Sequence, residues 1–130
     1  SSELAELINC LPGKKFIYTN GDEKHANNIL QKLDIQNFFS GIFDIKKSGF
    51  IPKPEKKSLL NLVEFYNIEP SKTIYFEGLE KNLKTASCIG ITTVLIDYNK
   101  NSLKNSYVDY SFSTLIEALR VINCNLDKRN

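Results

Sequence analysis

Three apolar runs in this chain stop at residues able to grip an anion or a metal. Phe16-Ile17-Tyr18 stops at Thr19-Asn20, Thr73-Ile74-Tyr75-Phe76 at Glu77, and Thr92 to Ile96 at Asp97. In an open α/β sheet, ligands bind beyond the carboxyl ends of the strands, so these groups are expected on one rim. A hydroxyl, an amide and a carboxylate around a helix N-terminus are the parts of a phosphate–metal site. Hydroxyl and backbone N–H groups take phosphoryl oxygens, and the carboxylate holds Mg²⁺. Strand ends are polar in most proteins, however, and the spacing alone does not make an enzyme. The single histidine, His25, falls about one turn into a helix and reads as a structural or surface group. Asp97 and the loop from Tyr98 to Ser106 read as surface turn residues, and Cys88, on a helix expected to be buried, as a small apolar filler.

The elements that would position these groups alternate between apolar runs and helical periodicity. Leu4, Leu7, Ile8 and Leu11 share a helical face that ends at Pro12-Gly13. Ala26, Ile29, Leu30 and Leu33 form the stripe of a second helix between the Phe16 strand and a strand at Ile42-Phe43-Asp44-Ile45. Pro54 suits the first position of a helix carrying Leu59, Leu60, Leu62, Val63 and Tyr66. Leu79, Leu83 and Ala86 predict a short helix capped near Gly90. Tyr107 to Tyr110 is an edge-strand candidate, and Thr114 with Glu117 is a capping-box pattern opening a last helix. Apolar strands separated by helices predict an α/β fold, a Rossmann-like parallel sheet of four to five strands flanked by helices. The expected organisation is one core domain over residues 1–122 and a polar, frayed tail over 123–130.

Composition removes several classes of function. The net charge is +2, and only Arg120 and Arg129 among the 17 basic residues are arginine, which argues against a nucleic-acid surface. No apolar run reaches a membrane span, and no signal-peptide pattern opens the chain. Three widely spaced cysteines without a CxxC read as reduced thiols of a cytoplasmic protein. The chain contains no methionine, so Ser1 is not expected to be a translational start. A processed or tagged chain, or a piece of a longer one, is expected.

The wording of the segments adds a resemblance. Phe16 to Ala26, with Tyr18-Thr19-Asn20-Gly21-Asp22 and His25-Ala26, resembles the second motif of the haloacid dehalogenase phosphohydrolases as found in their pyrimidine 5′-nucleotidase branch. Phe39-Ser40-Gly41-Ile42-Phe43-Asp44 is similar to the same branch. Lys53-Pro54 resembles the third motif, and Tyr75-Phe76-Glu77-Gly78-Leu79-Glu80-Lys81-Asn82 stands in the place of the fourth. Gly90 to Ile96 resembles the next strand, so the likeness runs from about Leu4 to Leu119. It implies the core of a phosphohydrolase acting on nucleoside monophosphates or similar small phosphate esters. Thr19 and Asn20 would then contact the phosphoryl group, Lys53 would neutralise its charge, and Glu77 with Asn82 would hold Mg²⁺.

Two departures bear on mechanism. The family's nucleophile is the first aspartate of an Asp-x-Asp motif on a central strand, yet before Thr19 the chain has only Glu3 and Glu6 and no aspartate. The catalytic residue and its strand are therefore expected from an upstream segment or a partner chain. Strand Phe16–Tyr18 should lie between Ile42–Ile45 and the place of that strand, with Thr73–Phe76 on its other side. Gly78 stands where the family has an acidic metal ligand, which counts against Mg²⁺. A catalytically degenerate domain, kept for binding or assembly, is the alternative. Another doubly wound module, such as a receiver-like domain, fits the Thr-Asn and Lys-Pro wording less well.

Overall fold

The computed structural model describes residues 2–99 and 105–129. Of the loop from Tyr98 to Ser106, residues 100–104 lie outside the described residues. The chain divides into two compact units, Ser1–Pro52 with Leu119–Asn130, and Lys53–Ala118.

In the first unit, α1 (Ser2–Cys10) is followed by β1 (Phe16–Tyr18), α2 (Glu23–Lys32) and β2 (Gly41–Phe43). β1 and β2 are parallel, with Ile17 opposite Ile42, and α2 provides the crossover that a parallel pair needs. Ile8, Ala26, Leu30, Ile35, Ile42 and Phe43 are buried. Tyr18 meets Phe43 edge to face, with ring centroids 6.0 Å apart. The expected stripe of α2 is only half buried: Ala26 and Leu30 are inside, whereas Ile29 and Leu33 are exposed.

The second unit contains α3 (Lys56–Phe65), β3 (Ile74–Glu77), α4 (Lys81–Cys88), β4 (Thr92–Ile96) and β5 (Tyr110–Phe112). The sheet order is β3-β4-β5, all parallel. Leu83, Leu95 and Val108 form its core, with Tyr75 and Tyr107 packed against them. α4 ends in a Schellman motif. Gly90 has a φ of +93°, its N–H donates to Ser87 O, and Ile91 N–H donates to Ala86 O at 3.1 Å. α5 (Leu115–Arg129) spans the boundary between the units and opens on Thr114, whose hydroxyl oxygen accepts from Glu117 N–H at 3.1 Å. It passes the Asn123 at which the polarity of the sequence suggests a tail. Within the first unit it is tied to α1 by Arg120 Nε donating to Glu3 at 2.8 Å and Asn123 Nδ2 donating to Leu7 O at 3.1 Å.

The α/β architecture with parallel strands is as the sequence predicts, but the strands form two hydrogen-bonded sheets instead of one. β5, α3 and Cys88 also depart from the expectation, each for a reason visible in its contacts. β5 starts at Tyr110, not Tyr107, because Asp109 is used otherwise: its Oδ2 accepts from Thr93 N–H at 2.8 Å. Pro54 is not the first residue of α3. Its carbonyl accepts from the Thr85 hydroxyl at 2.9 Å, and the helix begins at Lys56 with Glu55 as its cap. Cys88 is exposed rather than buried, because the buried face of α4 is Asn82, Leu83 and Ala86. Among the described residues no helix is long and apolar enough to cross a membrane.

One side chain holds the end of β2. Asp44 is buried, and its carboxylate accepts from Glu23 N–H at 3.0 Å and Lys47 N–H at 2.9 Å. It thereby satisfies an amide in the first turn of α2, where negative charge is favoured. Burial pushes the Asp44 carboxyl up, but these two N–H groups and the charges of Lys47 and Lys46 outweigh it, and the group sits below its ordinary 3.8. Hydrogen bonds to charged groups contribute about 1.5–3 kcal/mol each, so losing the two with Asp44→Ala is expected to cost roughly 3–6 kcal/mol in urea denaturation at pH 7. Because the native value is lowered, this stability is complete above pH 3.8 and is lost as pH falls from there through the native value. The gap between wild type and Asp44→Ala should therefore narrow in acid. A gap that is the same at pH 7 and in strong acid would exclude a charged role for Asp44.

Candidate functional site

β3 carries the chemistry of the second unit. Alternation along the strand puts Tyr75 and Glu77 on one face, and the Tyr75 hydroxyl donates to Glu77 Oε1 at 2.9 Å. Glu77 is the last residue of the strand itself, not the first beyond it. Two further donors meet the same oxygen: Lys53 Nζ at 2.8 Å, from the loop before α3, and Asn82 Nδ2 at 3.0 Å, from the first turn of α4. The other oxygen, Oε2, accepts Leu79 N–H at 2.8 Å. The Lys53 and Glu77 side chains are 14% and 9% exposed, so the pair is largely out of water. Burial pushes the Glu77 carboxyl up. The Lys53 hydrogen bond, Leu79 N–H, the Lys53 charge and Asn82 outweigh that, and the carboxyl lies below its ordinary value.

Lys53, Glu77 and Asn82 are thus brought together, and Tyr75 joins them without having been singled out. A tyrosine in an apolar strand looks like core, and only its i, i+2 relation to Glu77 hints at more. Asp97 follows β4, and its N–H donates to Phe112 O at 2.8 Å.

Thr19 and Asn20 lie in the first unit, just beyond β1. Thr19 N–H donates to Phe43 O at 3.1 Å, and Thr19 Oγ1 accepts Gly21 N–H at 3.0 Å. With its oxygen engaged as an acceptor, the hydroxyl retains its proton for an outside acceptor. The cap of α2 is Asp22, whose carboxylate accepts from His25 N–H at 2.7 Å, so Thr19 and Asn20 are not capping residues. His25 is exposed on α2.

The donor set near Glu77 is a poor one for Mg²⁺. This cation demands near-octahedral oxygen ligands and is usually held by one or two carboxylates. Here there is a single carboxylate, and both of its oxygens already accept hydrogen bonds, one of them from an ammonium. Asn82 Oδ1 is buried without a hydrogen-bond partner and is the one side-chain oxygen left over. Among the described residues no three His, Cys, Asp or Glu side chains gather as a metal site would require.

Residues 2–90 match the sequence model of the haloacid dehalogenase-like hydrolases. No curated protein matches. Among solved structures the fold is similar to a haloacid dehalogenase-type hydrolase from Bacillus subtilis, YfnB, described with bound magnesium. The identity is 20%, the TM-score 0.76, and 95% of this chain and 56% of that one are covered. It is also similar to a phosphatase of the same superfamily from Thermococcus onnurineus, at 22% identity and TM-score 0.74, covering 94% and 57%. A third is the L-2-haloacid dehalogenase from Xanthobacter autotrophicus with chloropropionic acid covalently bound, at 13% identity and TM-score 0.75, covering 92% and 59%. The chain therefore spans little more than half the length of these structures.

The Lys53–Glu77 contact should be measurable as stability. Removing one member of a buried pair strands the other, at about 3–5 kcal/mol. Three donors to Glu77 would remain, so Lys53→Met is expected near the lower end, roughly 3 kcal/mol in urea denaturation at pH 7. The lowered Glu77 pKa means that the pair's contribution is complete above the ordinary 4.5 and fades as pH falls below it. The variant's deficit should shrink accordingly, and a deficit that grows in acid would contradict the assignment.

Proposed function

This chain belongs to the haloacid dehalogenase-like hydrolase family, and on that premise we propose that it is the core portion of a phosphohydrolase of the pyrimidine 5′-nucleotidase-like branch. Its substrates would be nucleoside monophosphates or similar small phosphate esters. The observation that carries this reading is the network at the carboxyl end of β3 in which Glu77, itself accepting from Tyr75 and Asn82, holds the Lys53 ammonium. Lys53 neutralises phosphoryl charge, and the Thr19 hydroxyl, with Asn20 beside it, takes phosphoryl oxygens. Positioning and charge stabilisation are most of what phosphoryl transfer asks of a protein.

The nucleophilic aspartate comes from outside this sequence, on a strand supplied by an upstream segment or a partner chain. The open edges support this. Among the described residues β1 is paired only with β2, and β3 only with β4, so each leaves one row of backbone donors and acceptors without a strand neighbour. A family member that uses Mg²⁺ would draw on Glu77 and Asn82, the residues in the place of the metal motif. A second reading, a degenerate domain used for binding or assembly, is favoured by Gly78 and by the four donors that already surround Glu77.

The test is hydrolysis of a generic aryl phosphate and a panel of nucleoside monophosphates. The 130-residue chain by itself should show no turnover above background. The covalent step needs a carboxylate in line with phosphorus, and Glu77 is committed to Lys53. Direct attack by water would lack a positioned general base, a function typically worth ~10²–10⁴-fold. Turnover present in wild type and lost in Glu77→Gln would place the machinery differently. Joining the chain to a strand that ends in Asp-x-Asp separates the two readings: recovered turnover supports the phosphohydrolase, and a folded but silent product supports the degenerate domain.

A further inference from the structure

We infer that the Glu77 site is built around the Lys53 ammonium in place of a divalent cation, and that as it stands this chain does not bind Mg²⁺ there. The argument rests on the donors and not on the family. A carboxylate becomes a Mg²⁺ ligand by offering an oxygen lone pair at about 2.0–2.1 Å. Glu77 Oε1 already accepts from Lys53 Nζ, Tyr75 Oη and Asn82 Nδ2, at 2.8, 2.9 and 3.0 Å. A dication placed on that oxygen would have to displace at least one of these donors and then sit beside a largely buried ammonium of like charge. Oε2 is held by Leu79 N–H at the entry to α4, so turning the carboxylate away would break a second contact.

Gly78 turns this from a local crowding effect into a choice of chemistry. Nothing in the backbone requires glycine at that position: its φ is not among the positive values. A Cβ added there would find only Ile96 O, at the ordinary contact distance of 3.9 Å. A carboxylate could therefore be carried at residue 78 without a steric penalty at Cβ, yet the chain has none. What remains is Asn82 Oδ1, a buried neutral oxygen without a partner. Alone it is too weak a ligand to hold a dication that strongly favours carboxylates and water.

The probe is Mn²⁺, followed by electron paramagnetic resonance of the free ion in titrations of the full chain. Wild type should bind no more Mn²⁺ than Glu77→Gln does. Gly78→Asp, which adds a second carboxylate beside Glu77 and the spare Asn82 oxygen, should bind at least about tenfold more tightly than wild type. That gain should vanish in Gly78→Asp/Glu77→Gln. Lys53→Met, which releases Glu77 without changing the backbone at residue 78, is the second variant and should also gain affinity. It decides the matter if Gly78→Asp does not fold, as judged by circular dichroism. Wild-type binding that Glu77→Gln abolishes would overturn the inference, as would folded variants with no gain over wild type. The readout is ion binding, so the inference stands or falls separately from the proposed hydrolysis.

Discussion

A carboxylate removed from water stays charged only if donors take over the work of its hydration, and in the second unit that requirement falls on Glu77. Satisfying it draws three segments to the end of β3. The loop before α3 sends Lys53, the entry to α4 gives Leu79 N–H, and the first turn of α4 gives Asn82. The same loop is fastened again where Thr85 of α4 donates to Pro54 O. The first unit meets an equivalent requirement at Asp44, whose two backbone donors bind the end of β2 to the first turn of α2 and to the turn that follows. In each unit a carboxylate largely out of water converts a strand end into a fixed corner. The side chains around it are then held where chemistry could use them.

Much of this framework can be read from one sequence, because parallel strands advertise themselves as short apolar runs. Phe16–Tyr18 and Thr92–Ile96 form strands over the residues that their hydrophobicity marks. Gly90 closes α4 with the left-handed turn that glycine permits, and Thr114 caps α5 as its spacing with Glu117 indicates. Two of the boundaries that move are set by side chains acting across long stretches of sequence. Asp109 reaches back to Thr93 and delays β5, and Thr85 takes the Pro54 carbonyl and delays α3. Neither leaves a local trace, because the partners are 16 and 31 residues apart. α2 is a different failure. Its i, i+3, i+4, i+7 pattern marks a stripe wider than the face this unit covers, and Ile29 and Leu33 remain outside.

The site was legible by a different route. Lys53, Glu77 and Asn82 were marked by their wording and order, since 24 residues separate Lys53 from Glu77 and no periodicity links them. Tyr75 and Asp44 both read as parts of their strands: an aromatic in an apolar run passes for core, and Asp44 falls inside the run Ile42 to Ile45. What distinguishes both is their partners, and partners are a property of the folded chain.

The paired state of Lys53 sets the terms on which an anion could be bound. An ammonium hydrogen-bonded to a carboxylate presents a dipole, whose field falls faster with distance than that of a lone charge. Little long-range attraction is left for an incoming phosphate, and recognition must come from contact. Contact requires the ligand either to join the groups already around Lys53 or to replace Glu77. Replacement is less costly than it first looks. Glu77 would keep Tyr75 Oη, Asn82 Nδ2 and Leu79 N–H, so it would not be stranded without donors, while Lys53 would exchange one charged acceptor for another. The two readings of this domain therefore reduce to a competition for one ammonium. A phosphohydrolase must let the phosphoryl group win it, and a domain retained for binding or assembly can leave Glu77 in place.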